Sequence, residues 1–413
     1  MPTNNKESYQ NLADHYLKQG NQKKYKHYIE LARSIKDDSF APEPISTTEN
    51  LLVPSVEELI KLYNFGKHSM LVELAAKNPN HEILPYLASS IYFSQNKPDL
   101  AAESASNIKD NDQKRLRIKT AGAWKKINKP LNSEPRVHLL ILSHNREEYV
   151  ENALQQLAAT DYRNYAVYIA DNGSEDRTWD IVQEAVKAFP EHIKVKIEKF
   201  PTNIGRPAGH NWLLTKYDHS GADYIAIGDD DLVEVPPDWL TRMVQTAKAF
   251  PRCAVVGGKA LNPGKPDVIH GGIRNITRFS SDQLNLSNGD DQIDYGQFDY
   301  VDKVDHVIGC LHIYDRQILF DEVGLFDIRF SPCQYVDIDH HLRIRMLGYD
   351  IIFNGLISFR HLRAMGNQAK KDITLAGNSQ GNAIKILHKF NQHAVNKQLN
   401  FLSEERMKWL NAD

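Results

Sequence analysis

Cysteine is scarce in this chain. Cys253, Cys310 and Cys333 are the only three, widely spaced and in no CxxC pair, which excludes a disulfide framework and a thiolate zinc site. No apolar run approaches the roughly 20 residues that cross a bilayer, and Met1 to Gln10 is polar where a secretory signal needs an apolar core. Both lacks predict a cytoplasmic protein that touches, at most, the inner face of a membrane as a peripheral contact. An excess of positive charge is missing too. Lys and Arg number 50 against 53 Asp and Glu, a net charge of -3, so no general field holds a nucleic-acid backbone and nucleic acid is excluded as a partner. What remains is ordinary globular material, 41% hydrophobic and 25% charged over 413 residues. At roughly 150 residues per domain, that length predicts two or three domains.

Apolar residues recur at helical spacing from Ser8 to Lys126. Tyr9, Leu12, Ala13, Tyr16 and Leu17, then Tyr25, Tyr28, Ile29 and Ala32 after the Gly20-Asn21 break, predict a helical hairpin. A Pro/Ser/Thr-rich linker, Pro42 to Thr48, separates it from further helices carried by Leu59 to Leu62, Leu71 to Ala75, Leu84 to Ile91 and Leu100 to Ile108. Paired helices of this size resemble a degenerate tetratricopeptide module, which offers a surface to a protein partner or serves as a plain packing layer. Seven basic residues and no acid lie between Lys114 and Lys129. The run reads as a solvated helix face, with anionic lipid or a lipid-linked phosphate as the alternative partner.

At Arg136 the period changes. Val137 to Leu142 is nearly continuous apolar sequence, as in a strand buried on both faces. Strands are then expected over Tyr165 to Ala170, Ile193 to Phe200, Tyr224 to Ile227 and Ala254 to Gly258, alternating with helices over Tyr149 to Leu157, Thr178 to Phe189, Pro207 to Lys216 and Pro237 to Phe250. Such alternation predicts a doubly wound α/β domain with its ligand at the carboxyl ends of the strands. The division is therefore 1-130 helical, 131-365 α/β and 366-413 a helical tail. Leu261 to Asp305, rich in Gly, Asn, Asp and Ser, reads as a functional loop or edge hairpin and is assigned acceptor contacts.

The strand ends carry Ser143-His144-Asn145-Arg146, Asp171-Asn172-Gly173-Ser174, Asn203-Ile204-Gly205-Arg206 and Asp229-Asp230-Asp231. Turn geometry alone accounts for the first three. Three consecutive carboxylates repel one another, a cost most simply offset by a divalent cation. In an extended segment Asp229 and Asp231 project alike and can share a metal that holds a diphosphate, while Asp230 faces elsewhere. Arg206, just after a glycine turn, is placed to approach a phosphate oxygen, against the plainer reading of a surface charge.

In this order the segments resemble glycosyltransferase family 2 on the GT-A fold, from Ile141-Leu142-Ser143-His144-Asn145 through Pro237-Asp238-Trp239-Leu240. Downstream, Val307-Ile308-Gly309-Cys310 and Val323-Gly324-Leu325-Phe326-Asp327 resemble the family's acceptor-side segment, Tyr335 to Arg343 its acidic helix, and Phe359-Arg360-His361 its late histidine. The resemblance implies that Asp171 meets the base or ribose, that Asp229 lies against the ribose, and that Ser143, Asn145, Asn203, Gly205, Arg206 and Asp230 line the nucleotide sugar. It implies Mg or Mn on Asp231 and His361, and Asp337 as general base. Val336 stands where the family usually carries an acid, which makes Asp339 the alternate base. On a helix from Val336 to Leu347 the two aspartates point roughly 200° apart, so one alone faces the donor. His341 falls on the Asp337 face and reads as a satisfied, partly exposed histidine rather than a metal ligand.

The implied activity is inverting transfer of a hexosyl or deoxyhexosyl group from a nucleoside-diphosphate sugar, a UDP-sugar first among donors. The acceptor is a glycan, lipid-linked or protein hydroxyl, in the making of surface glycan such as O-antigen or capsule or of another glycoconjugate. A sugar-phosphate nucleotidyltransferase needs a glycine-rich loop after its first strand, and Ser143 to Glu147 contains no glycine. An inert α/β domain on a helical adaptor leaves the triplet and Asp337 without a purpose.

Overall fold

A computed structural model of the chain describes residues 53-287, 289-362 and 373-412. The expected hairpin over Tyr9 to Ala32 and the linker Pro42 to Thr48 lie outside them. The described chain begins with six helices: α1 Val56–Asn64, α2 His68–Lys77, α3 Leu84–Ser94, α4 Pro98–Ala105, α5 Asn111–Gly122 and α6 Trp124–Ile127. A capping box between Ser55 and Glu58 starts α1, and Asp110 caps α5. Six of the seven basic residues lie on α5 and α6, and one of them departs from the solvated face. Arg117 is fully buried, its guanidinium donating to Gly296 O and set over the Tyr86 ring at 5.3 Å.

The α/β elements follow as β1 Val137–Ser143, α7 Val150–Ala158, β2 Tyr165–Asp171, α8 Thr178–Ala185, β3 Lys194–Lys199, α9 Arg206–Lys216, β4 Tyr224–Asp229, β5 Leu232–Glu234, α10 Trp239–Ala249 and β6 Cys253–Leu261. The long segment then supplies β7 Ile269–Gly271, a hairpin of β8 Ile276–Phe279 and β9 Leu284–Leu286, and β10 Val301–Val304. The chain closes with β11 Leu311–Asp315, α11 Val336–Met346, β12 Asp350–His361, α12 Ile373–Lys389 and α13 Gln392–Asn411.

The main sheet runs β10-β12-β6-β11-β4-β1-β2-β3, with β5 on β12 and β7 on β6. It is a mixed sheet. β1 to β4 are parallel, β6 and β12 are parallel, and antiparallel β11 joins the two blocks. An apolar strand reads alike in either direction, so sequence periodicity does not reveal the reversal. The consequence is functional. The carboxyl ends of β4 and β12 and the amino end of β11 share one edge of the sheet.

Alternate residues of β1 and β2 feed opposite faces, as the pleat requires. Leu139, Ile141 and Val167 pack with Leu154, Trp239 and Val244 on one side, and Leu140, Ala166 and Tyr168 with Leu213 on the other. Phe93 and Trp124, stacked at 5.1 Å, belong to the first core, so packing crosses the expected boundary near residue 130. Ile386, Val395 and Leu410 bring the terminal helices onto the second. Among the described residues no helix is long and apolar enough to cross a membrane.

Candidate active site

The three carboxylates stand where β4 turns into β5. Asp229 remains in register with the sheet, opposite Leu142 of β1. One residue after Asp231 the chain pairs antiparallel with the end of β12, Leu232 opposite His361, and Leu362 N donates to Asp231 O at 3.0 Å. This short pairing delivers an imidazole to the acidic turn. His361 Nε2 lies 2.7 Å from Asp231 Oδ1 and 3.4 Å from Asp229 Oδ2. One ligand atom from each of Asp229, Asp231 and His361 falls within 4.8 Å of the others, the only such group among the described residues. His361 Nε2 and Asp231 Oδ1 approach without hydrogen-bond alignment. The other ring nitrogen, Nδ1, faces His270 Nδ1 at 3.1 Å under a stacked ring, which leaves Nε2 for the carboxylates. Two carboxylates and an imidazole are a donor set suited to a divalent cation such as Mn, and the residues present fit one.

Electrostatics separates the three acids. Burial raises Asp229, but the Arg206 guanidinium and His361 outweigh it and hold the acid well below the usual carboxylate range. At Asp230 burial and the Asp231 charge win over Arg146 and push the acid up to about 7. Burial opposes charge on His361, yet Asp231 and Asp229 push it up to about 10. As expected Asp230 stays out of the group. It pairs with Arg146 Nε at 3.4 Å, and the same guanidinium reaches Asp231 at 3.8 Å. That counter-charge role of Arg146 was not legible, because a lone arginine in a turn reads as surface.

The second half of the site starts at α11. Gln334 and Tyr335 take left-handed backbone, φ 71° and 62°, and Asn382 of α12 donates to the carbonyls of Phe330, Cys333 and Gln334 at 3.2, 2.9 and 2.9 Å. The helix so anchored sends its two aspartates apart. Asp339, fully buried, takes Lys389 Nζ at 2.6 Å and Arg343 Nε at 3.2 Å and so turns to the end of α12. Asp337 instead faces Gly309, where an added Cβ would stand 2.6 Å from its Oδ2. Arg206 links the halves, its Nη2 donating to Asp229 Oδ1 and Gly309 O at 2.8 Å each. Burial raises Asp337, but His306, Arg206 and His341 outweigh it and hold the carboxyl well below its usual range. His306 Nε2 is 3.2 Å from Asp337 Oδ2. His306 carries no spacing signal in the sequence, being an isolated histidine before an apolar stretch. His341 is fully buried rather than partly exposed, its Nε2 3.3 Å from Tyr314 Oη.

The remaining expected residues build the floor and the loops. Asp171 is fully buried at the end of β2; Oδ1 accepts from Ser174 N at 3.0 Å, and Oδ2, 3.8 Å from Lys199 Nζ, accepts no hydrogen bond. Ser143 Oγ is buried and without a hydrogen-bond partner. Asn145 and Asn203 spend their amides on the loops: Asn145 Oδ1 accepts from Glu175 N at 2.9 Å, and Asn203 Oδ1 from Gly205 N at 2.8 Å and Asn172 Nδ2 at 2.9 Å. Gly205 has φ 84° and lies against Ser331, so only glycine starts α9 there without strain.

Residues 139-320 match the family model of Glycosyl transferase family 2. That span takes in the triplet and Gly309 but ends before Asp337 and His361. A putative glycosyltransferase of Bacillus subtilis, EpsE, is 27% identical over 106 residues, 26% of this chain and 36% of the relative. An uncharacterized protein of Sinorhizobium fredii, y4gI, is 22% identical over 233 residues, 56% of this chain and 25% of its own length. The chain thus spans about a third or less of the curated relatives it matches. Among solved structures, a mannosyltransferase from Pyrobaculum calidifontis in complex with GDP-Man and Mn2+ aligns at TM-score 0.43 and 17% identity, over 69% of this chain and 71% of that one. S. aureus TarS with UDP-GlcNAc aligns at TM-score 0.44 and 14% identity, over 64% and 70%. The family match and the mixed central sheet agree on a GT-A-like α/β fold.

Proposed function

We propose that the chain is an inverting, metal-dependent glycosyltransferase that moves a sugar from a nucleoside-diphosphate donor to a hydroxyl acceptor. The observation that carries this reading is the convergence of Asp229, Asp231 and His361 at the carboxyl edge of a nucleotide-binding type of sheet. Asp231 and His361, with Asp229 completing the group, hold Mg or Mn, which when bound supplies positive charge against the leaving diphosphate. Asp171, whose Oδ2 accepts no hydrogen bond, and Ser143, at the end of β1, offer hydrogen-bonding capacity for the nucleoside. Arg206 keeps a guanidinium beside the diphosphate position, and Asn145, Asn203 and Gly205 shape the loops around it. Asp337 takes the acceptor proton as the hydroxyl oxygen bonds to the anomeric carbon, and the carbon–oxygen bond pair departs with the diphosphate. A single base opposite the leaving group suffices for inversion, and no enzyme nucleophile is required.

A panel of UDP- and GDP-sugars, read by release of the nucleoside diphosphate, tests the reading. At least one donor is expected to turn over with Mn and to slow at least a hundredfold under chelator. Equal rates with and without chelator, or no donor consumed, contradict it.

A further inference from the structure

Behind Asp337 sits a histidine that the proposed reaction does not yet use. His306 is 1% exposed, and its Nε2 stands 3.2 Å from Asp337 Oδ2, while Asp337 itself is 29% exposed on its open side. Apart from Asp337, no group among the described residues partners either ring nitrogen of His306. A buried imidazole with a carboxylate, itself open to the site, 3.2 Å from its Nε2 has the arrangement of a proton-accepting pair.

We propose that His306 and Asp337 act as one general-base unit in which His306 receives the acceptor's proton through Asp337. The inference rests on the glycosyltransfer reading above. The step requires a carboxylate beside a neutral imidazole. The acceptor O–H breaks as its oxygen bonds to the sugar carbon, and the proton goes to the Asp337 carboxylate and passes from Oδ2 to Nε2 of His306. The pair then stands as carboxylate and imidazolium until solvent takes the proton.

The chemistry explains a difficulty in the site. Arg206, charged beside the carboxylate, leaves Asp337 a weak base by itself, whereas a positioned base works best with its pKa near the operating pH. An imidazole behind the carboxylate offers the proton a second acceptor atom, Nε2 at 3.2 Å. The other groups facing the pair do not compete for the proton. His312 of β11 is pushed down to about 3 by burial, His341 of α11 is held neutral by burial, Tyr314 of β11 is pushed up by burial, and Arg206 of α9 is already charged.

The test uses the full chain and the substitution His306→Gln, which keeps a hydrogen-bonding group near Nε2 but accepts no proton; His306→Asn is the second variant. Folding is checked by near-UV circular dichroism. NMR titration of the ring in the wild type and in Asp337→Asn reads the pairing without turnover. Removing the carboxylate is expected to move the His306 midpoint down by at least one unit, and an unmoved midpoint overturns the pair. With a UDP-sugar consumed by the wild type, kcat at neutral pH is expected to fall about tenfold or more in His306→Gln, KM for the donor to stay within twofold, and the acid limb of the pH–rate profile to move down by at least one unit. A limb that stays in place with a lower kcat shows a purely structural histidine and overturns the relay. A coupled pair in a wild type that consumes no nucleotide sugar overturns the glycosyltransfer reading and the relay with it, while an uncoupled pair in an active enzyme overturns the relay alone.

Discussion

At the scale of single residues, the sharpest contrast is between Asp337 and Asp339, two residues apart on one helix and opposite in environment. Asp339 is neutralised by Lys389 and Arg343 inside the protein, and Asp337 opens to the site beside Gly309. Asp337→Asn is expected to leave donor affinity near wild type while the transfer rate falls by roughly 10²–10⁴-fold, the contribution of a positioned base. Asp339→Asn breaks a buried charge pair, so it is expected to lower stability by about 3 kcal/mol and leave kcat of the folded enzyme within a few fold. Rate and urea midpoint measured on both variants check this, and a dead Asp339→Asn with an active Asp337→Asn would move the base by two residues. Helical spacing made the divergence of the two aspartates legible. It did not show which faced inward, because the deciding partners, Gly309 and Lys389, lie on other elements.

At the scale of elements, the site exists because unlike strands end at one edge. The buried apolar strands before Ser143, Asp171 and Asp229 were legible from their period and turn residues, and the structure places those residues at the ends of β1, β2 and β4. The reversal of β11 and the pairing of β5 with β12 were not legible, since neither leaves a local pattern, and they are what deliver Gly309 and His361. The loop before α11 depends on one side chain. Asn382, buried, satisfies three carbonyls of the segment Phe330 to Gln334. Asn382→Ala leaves buried acceptors unpaired, at about 1–3 kcal/mol of stability. The loosened helix is expected to lower kcat severalfold with little change in nucleotide affinity. Kinetics and calorimetry on this variant check the claim, and unchanged kcat with a measurable loss of stability would detach the loop from the chemistry.

At the scale of the whole molecule, the interior holds an unusual number of uncharged imidazoles. Burial pushes His138 and His210 down to about 4, and His312 and His340 down to about 3, from an ordinary value of 6.5. The sign follows from linkage: the unfolded chain binds these protons at higher pH than the folded one, so their stability is present above about 6.5 and is lost as pH falls toward the folded values. Asp230, raised to about 7, acts in the opposite direction, as do Asp294, Asp302 and Asp339, each raised by burial, while His219 and His341, lowered by burial, add to the four histidines. The urea midpoint is therefore expected to drop steeply between pH 6.5 and 4, and His210→Gln to make that drop shallower. A midpoint flat over this range would mean that the histidines are solvated.

The central claim is that the Asp229, Asp231 and His361 group loads a cation with a nucleoside diphosphate, and calorimetric titration of UDP and GDP into the full chain tests it most directly. With Mn present, one of the two is expected to bind at least tenfold more tightly than in chelator, and His361→Ala and Asp231→Ala are expected to abolish that difference. Equal affinity with Mn and with chelator in the wild type would contradict the account.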